Sequence, residues 1–433
     1  MVDIVPFSGY LYNQEKTGPI DRVIAPPYDV ISPEDQEKLY ANSPYNVVRL
    51  ILGKQSSDDT DSDNRYTRAA AVFSDWIAEG VLACDTTPAF YAYSQDYEFQ
   101  GRQLSRMGFF ARVKVEDFSS GNICPHEFTL AKAKKDRTKL LESCRANFSP
   151  IFGLFSDPEG SIDKILETVK RENPLAVVED TEVTHRFWRI RDAKMIADIT
   201  NSFQAKKITI ADGHHRYETA LAYHKAHSGD VPDSAHVMMF LTNLNSENMS
   251  IFPIHRVIHC PEAFDGKDFL ARVSEFFDIE SIAPDATTED MSTLLKKSGL
   301  DEKKISFIVY LGKNNAHLLK LKDTKKVIPF LQPDEPEEMQ VLDVIQLHAL
   351  LIRPMLHIDT KKSDQQQHVS YKVDMNVAME LVHSGKYHLA FFMNATKMDQ
   401  VRELAEKGIR LPQKATFFYP KLLSGLVINK FES

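Results

Sequence analysis

The stretch Lys206-Lys207-Ile208-Thr209-Ile210-Ala211-Asp212-Gly213-His214-His215-Arg216-Tyr217-Glu218 carries the sharpest local signal in the chain. Lys206 to Ala211 reads as a strand, because Ile208 and Ile210 alternate with polar or small residues. Gly213 permits a tight turn, and a helix is expected from about His214 to Ser228, closed by Gly229. Such a junction presents backbone N–H groups and the positive end of a helix dipole, which together suit an anion. Cations in a first helical turn repel that dipole. His214, His215 and Arg216 are therefore a local cost unless something negative sits before them, and a phosphate is the obvious candidate. Taken singly, each also fits a plainer reading as a satisfied core histidine or a solvated arginine. His214 and Glu218 lie four apart on one helical face, but H-E-x-x-H is absent and a metal-only site ranks well below. No metal-ligand set is legible. Neither a G-x-x-x-x-G-K-[ST] loop nor a G-x-G-x-x-G turn occurs, so a bound nucleotide would be held in another way.

Working outward, Val237 to Leu241 reads as another strand, and the aromatic-rich alternation over 89–115 reads as a hairpin or meander. A helix is expected from about Thr129 to Arg145 and another from Tyr66 to Glu79, with Asn46 to Leu52 as a strand. Ser32-Pro33 has the form of a helix start, with the proline at the first position. Ile305 to Leu311 and Ala316 to Leu321 form a second hairpin candidate, and Leu389 to Met393 a buried strand. Strands and helices mix without strict alternation, which predicts an α+β fold. The expected divisions are an N-terminal segment over 1–88, a core carrying the site over 89–260, a flanking region over 261–340, and a C-terminal segment over 341–433 that contributes to the site.

With 433 residues, 43% hydrophobic and 26% charged, the chain has ample material for more than one core. A net charge of −9 argues against a general nucleic-acid binder. Cys84, Cys124, Cys144 and Cys260 are widely spaced, with no C-x-x-C pair, which suits a reduced cytoplasm. No signal peptide and no apolar run of membrane-spanning length is read, so a soluble cytoplasmic protein without a membrane partner is expected. The oligomeric state is not legible.

Three further segments carry candidate chemistry. Pro125-His126-Glu127 precedes a helix bearing Lys132 and Arg137; a carboxylate beside a histidine there suits a general base with phosphate contacts. Leu411 to Lys421 places Lys414, Thr416 and Lys421 among aromatic residues that suit either a pocket or a core. Tyr28 and Asp29 follow the rigid Pro26-Pro27 pair.

Together these runs resemble the domain-of-unknown-function 1015 family of bacteria and archaea. The resemblance is carried by Ile24 to Ile31, Pro125-His126-Glu127, Ala146-Asn147-Phe148-Ser149-Pro150-Ile151, His185 to Trp188, Ala211 to Leu221, Pro253 to Arg256 and Leu411 to Leu426. Asp212 to Arg216 also resembles the phosphate-binding motif of free L-serine kinases with a ParB/sulfiredoxin-like fold. That resemblance implies a ParB/sulfiredoxin-like catalytic core with additional mixed α/β regions, and transfer of phosphate from ATP or ADP, with Mg2+, to L-serine. It implies Glu127 as general base beside His126, and Asp212 near the hydroxyl or the magnesium. Gly213, His214, His215 and Arg216, backed by Lys132 and Arg137, would hold the phosphates. Tyr28, Asp29, Asn147, Ser149, Lys414, Thr416 and Lys421 are the candidates for the amino acid. Simple serine kinases of this fold are much shorter and lack counterparts of the Pro-Pro-Tyr-Asp and C-terminal segments. A sulfiredoxin-type redox enzyme would need a cysteine where His214 stands. A ParB-like DNA-binding module would need a basic helix-turn-helix, and none is clear. A non-catalytic nucleotide or metabolite sensor would use the same pocket.

Overall fold

The computed structural model describes residues 2–432 except 100, 126–130, 181, 302–303, 363 and 413, and leaves the side chains of 131–133, 300–301 and 405–406 undescribed. The chain divides into two compact units, Met1–Ser250 with Pro420–Ser433, and Ile251–Tyr419. Of the four stretches expected from sequence, 1–88 and most of 89–260 share the first unit, while 261–340 and most of 341–433 form the second.

The first unit is built on a nine-stranded sheet. Its strands are β1 (Ile4–Val5), β2 (Phe90–Phe99), β3 (Arg102–Lys114), β4 (Ile123–Pro125), β5 (Ile151–Phe155), β6 (Ala176–Glu179), β7 (Val183–Ile190), β8 (Ile208–Asp212) and β9 (His236–Asn243). They lie in the order β4-β8-β5-β9-β3-β2-β7-β6, with β1 paired to β3. Only β4 with β8 and β5 with β9 run parallel among the described pairs of this sheet. The helices of this unit include α1 (Pro33–Asn42), α2 (Arg65–Ala78), α3 (Ala131–Cys144), α4 (Ser161–Val169), α5 (Ala193–Phe203) and α6 (His214–His227). The α+β class is as the mixed pattern predicts.

Alternation along the strands gives the sheet two apolar faces. On one, Phe90, Phe109, Trp188, Ile208 and Met239 pack against Leu166 of α4, Phe203 of α5 and Tyr217 of α6. Phe109 meets Phe90 and Phe203 edge-on, contacts worth about 0.5–1.5 kcal/mol each beyond the buried area. On the other face Tyr91 stacks on Phe187, and Phe110 and Phe240 pack together. That face meets the N-terminal segment, where Phe7 packs on Tyr91.

Local signals explain several helix ends. Ser32 caps α1 by accepting from the Asp35 N–H, with Pro33 at the first position. Asn64 and Thr67 form a reciprocal capping box on α2. The strand expected over Asn46–Leu52 is instead a single helical turn, Val48–Ile51. The reason is long-range. The buried Asn46 donates from Nδ2 to the Arg22 and Ile24 carbonyls, at 2.9 and 3.0 Å, and its Oδ1 accepts from the Val48 N–H at 2.9 Å. These bonds favour a turn over a ladder.

The second unit holds a six-stranded sheet of β10 (His255–Ile258), β11 (Phe277–Ser281), β12 (Ser306–Tyr310), β13 (Ala316–Leu321), β14 (Val369–Lys372) and β15 (Leu389–Met393). The order is β11-β13-β12-β15-β10-β14, and all pairs are antiparallel. The expected hairpin of β12 and β13 and the buried β15 are both present. No helix among the described residues is long and apolar enough to cross a membrane.

Candidate active site

The strand-turn-helix junction forms as its sequence predicts, with one refinement. The register of β8 against β5 shifts between Ile210 and Asp212, so a bulge at Ala211 re-aims Asp212 at the strand end. Gly213 then takes φ of +92° and α6 begins at His214. The positive φ favours glycine, and a Cβ there would lie 3.0 Å from the Arg216 guanidinium carbon, so Arg216 would have to shift. Gly213 offers no side chain to cap α6, which leaves the positive helix end to other partners.

Asp212 is held between two cations. Lys421 Nζ lies 2.7 Å from its Oδ2, and Arg216 Nη2 lies 3.6 Å from its Oδ1. Burial alone would raise this carboxyl, but Lys421, Arg216 and His214 outweigh it and hold the group well below the usual carboxylate range. Arg216 also donates from Nη1 to the Pro150 carbonyl. His214 is buried and His215 half-buried. Glu218, one turn further along α6, pairs with Lys134 of α3 at 2.6 Å.

Lys421 is delivered by backbone contacts that the sequence does not announce. Gln95 donates from Nε2 to the Lys421 carbonyl at 2.9 Å. Arg106, only 1% exposed, donates to the Pro420 carbonyl and, from Nε at 3.1 Å, to Gln95 Oε1. Its guanidinium sits 4.8 Å from the centre of the Phe152 ring. Neither Gln95 nor Arg106 was among the sequence candidates. The available signal was an arginine and a glutamine within strands otherwise rich in aromatic residues.

A second cationic group lies beside the first. Arg137 is buried, donates from Nη1 to the Ile51 carbonyl at 3.0 Å and from Nε to Asp136 Oδ2 at 2.7 Å, and covers the Tyr28 ring at 3.8 Å. Burial raises the Tyr28 phenol, and Arg137 and Arg216 oppose it. Arg137 and Arg216 both line a cavity of about 50 Å³ together with Asn147, Ser149 and Thr219.

The other sequence candidates are placed as follows. Asp29 is exposed. Asn147 Oδ1 accepts from the Met238 N–H at 3.0 Å and from Asn429 Nδ2 at 2.9 Å, and Ser149 Oγ lies 2.7 Å from Ser424 Oγ. Both therefore tie down the C-terminal segment that carries Lys421. Lys414 and Thr416 belong to the second unit, where the Lys414 carbonyl accepts from Arg256 Nη2 at 2.8 Å. His126 and Glu127 lie outside the described residues, as does the side chain of Lys132. Among the described residues no group of three or more His, Cys, Asp or Glu could hold a metal ion.

A mixed α+β unit with a carboxylate and paired cations at a strand-to-helix turn is the class that fold and geometry define. The chain belongs to the DUF1015 family, described as proteins of unknown function, whose profile matches residues 4–345. No curated protein matches the chain in sequence. Among solved structures it is similar to a conserved hypothetical protein from Pyrococcus furiosus, with a TM-score of 0.34 and 11% identity over 73% of this chain and 92% of that one. It is also similar to a free serine kinase in complex with AMP (TM-score 0.33, 12% identity, 72% of this chain and 86% of that one). A third is SbnI with a C-terminal truncation from Staphylococcus aureus (TM-score 0.36, 11% identity, 73% and 85%).

Proposed function

We propose that the protein is a nucleotide-dependent phosphotransferase acting on the hydroxyl of a free amino acid, with L-serine as acceptor and O-phosphoserine as product. The observation that carries this reading is the Asp212 carboxylate at the end of β8, bracketed by Lys421 and Arg216 at the N-terminus of α6. Phosphoryl transfer asks a protein mainly for positioning and charge neutralisation. Arg216, Lys421 and the helix end supply positive charge for the phosphates, and the half-buried His215 adds a ring donor in the same turn. In this reading Glu127 takes the proton of the attacking hydroxyl as the oxygen bonds to phosphorus and the nucleotide oxygen leaves. The strand that ends at Pro125, two positions before Glu127, runs parallel beside β8.

ATP or ADP would serve as donor. Magnesium commonly binds through one or two carboxylates and the phosphates themselves, so Asp212 with the nucleotide would suffice to hold it. When bound, it would neutralise charge on the transferred group. The test is incubation with ATP or ADP, Mg2+ and a panel of free amino acids, read by mass spectrometry. Phosphoserine from the native protein and not from Glu127→Gln supports the kinase. No phosphorylated amino acid despite nucleotide binding would leave a sensor in its place.

A further inference from the structure

A second cavity, of about 310 Å³, lies in the first unit away from Asp212. It borders β7, and four strands (β5, β9, β3 and β2) separate β7 from β8. At roughly 4.8 Å per strand spacing this places the two some 24 Å apart across the sheet. Leu11, Phe187 and Leu426 give the cavity apolar walls, and Asn13, Asp85 and Arg189 supply polar edges.

Asp85 and Arg189 are the charged residues of the lining, and Arg191 lies outside it. Asp85 is the carboxylate that serves Arg189 at 2.7 Å, Arg191 at 3.0 Å and the Tyr91 hydroxyl at 2.7 Å. With Arg191 counted, two guanidinium groups share this one carboxylate. Arg189 approaches Asp85 through Nε without completing a hydrogen bond from that atom. A guanidinium presents a flat fork that matches a carboxylate. Apolar walls of this volume with a few polar groups are the usual form of a small-molecule site.

We infer that this cavity binds a small organic carboxylate whose apolar body lies against Leu11, Phe187 and Leu426 and whose carboxylate meets Arg189. The site is independent of the phosphoryl-transfer reading. Calorimetric titration of the full chain with 3-phenylpropanoate, beside its neutral analogue 3-phenylpropanamide, tests it. The carboxylate should bind saturably and the amide about tenfold or more weaker, since a charge-assisted hydrogen bond is lost. Arg189→Gln should reduce carboxylate binding by a similar factor. Ala83→Trp, at an exposed position lining the cavity, should block it with the melting temperature kept. No saturable binding at millimolar concentration, equal binding of acid and amide, or undiminished binding to folded Arg189→Gln would overturn the inference.

Discussion

Lys421 Nζ lies 2.7 Å from Asp212 Oδ2, although 209 positions separate the two residues in the chain. The ion pair joins the C-terminal segment to the strand-to-helix turn, so Asp212 is partnered by a lysine from the distant Leu411 to Lys421 stretch. Gln95 and Arg106 hold the backbone on either side of that lysine, and Ser149 and Asn147 hold the segment beyond it.

Replacing Lys421 by methionine removes this partner while keeping the length of the side chain. The Asp212 carboxyl should move up toward the ordinary carboxylate range, since Lys421 is the largest of the influences that lower it. Nucleotide affinity should fall about tenfold or more, the scale of one lost charge-assisted hydrogen bond. Titration with ADP at several pH values measures both effects. Below neutrality, affinity should become pH-dependent in the variant at a higher pH than in the native protein.

Gly213→Ala should be destabilising by about 1–2 kcal/mol from the left-handed backbone alone. The added carbon also meets the Arg216 guanidinium at 3.0 Å, so Arg216 must move. Thermal denaturation should register the first effect and a weaker ADP titration the second. A variant with native stability would show that the turn tolerates a side chain.

Arg106→Met should loosen the C-terminal segment. It leaves the Pro420 carbonyl and Gln95 Oε1 without their buried donor, at about 1–3 kcal/mol for each unsatisfied group. The expected signature is faster amide exchange over 420–424 and a lower melting temperature. Protection unchanged in that segment would contradict the role assigned to Arg106.

The strand, turn and helix of this junction are legible in the sequence, and the remainder fails for one physical reason. The alternation of Ile208 and Ile210, the glycine and the following helix pattern depend on neighbours in sequence, and they appear as expected. Asn46–Leu52 reads as a strand by its apolar run, yet contacts from Asn46 to the Arg22 and Ile24 carbonyls fold it into a turn. Arg106 and Gln95 sit in strands where polar residues suggest a solvated face, yet both are buried and bonded to the Pro420–Lys421 backbone. Tertiary partners decide these cases, and a linear pattern does not contain them.

The first unit should also lose stability in mild acid. Burial holds His185 down at about 4, and its Nδ1 lies 2.6 Å from the Tyr93 hydroxyl. The unfolded chain binds this proton near pH 6.5, so the contribution is complete above that value and is lost as pH falls toward 4. At pH 5 the loss is about 2 kcal/mol by proton linkage. Melting temperatures at pH 7 and pH 5 should differ less in His185→Gln than in the native protein, because glutamine does not titrate.

In the proposed reaction Asp212 to Arg216, with Lys421, seat the nucleotide phosphates. Calorimetric titration of ADP with Mg2+ into the native protein and into Arg216→Gln, each checked for a retained fold by circular dichroism, measures it most directly. Binding to the native protein should be saturable, and weakened about tenfold or more in the variant by loss of a charged donor. No binding to the native protein, or equal affinity in a folded Arg216→Gln, would contradict it.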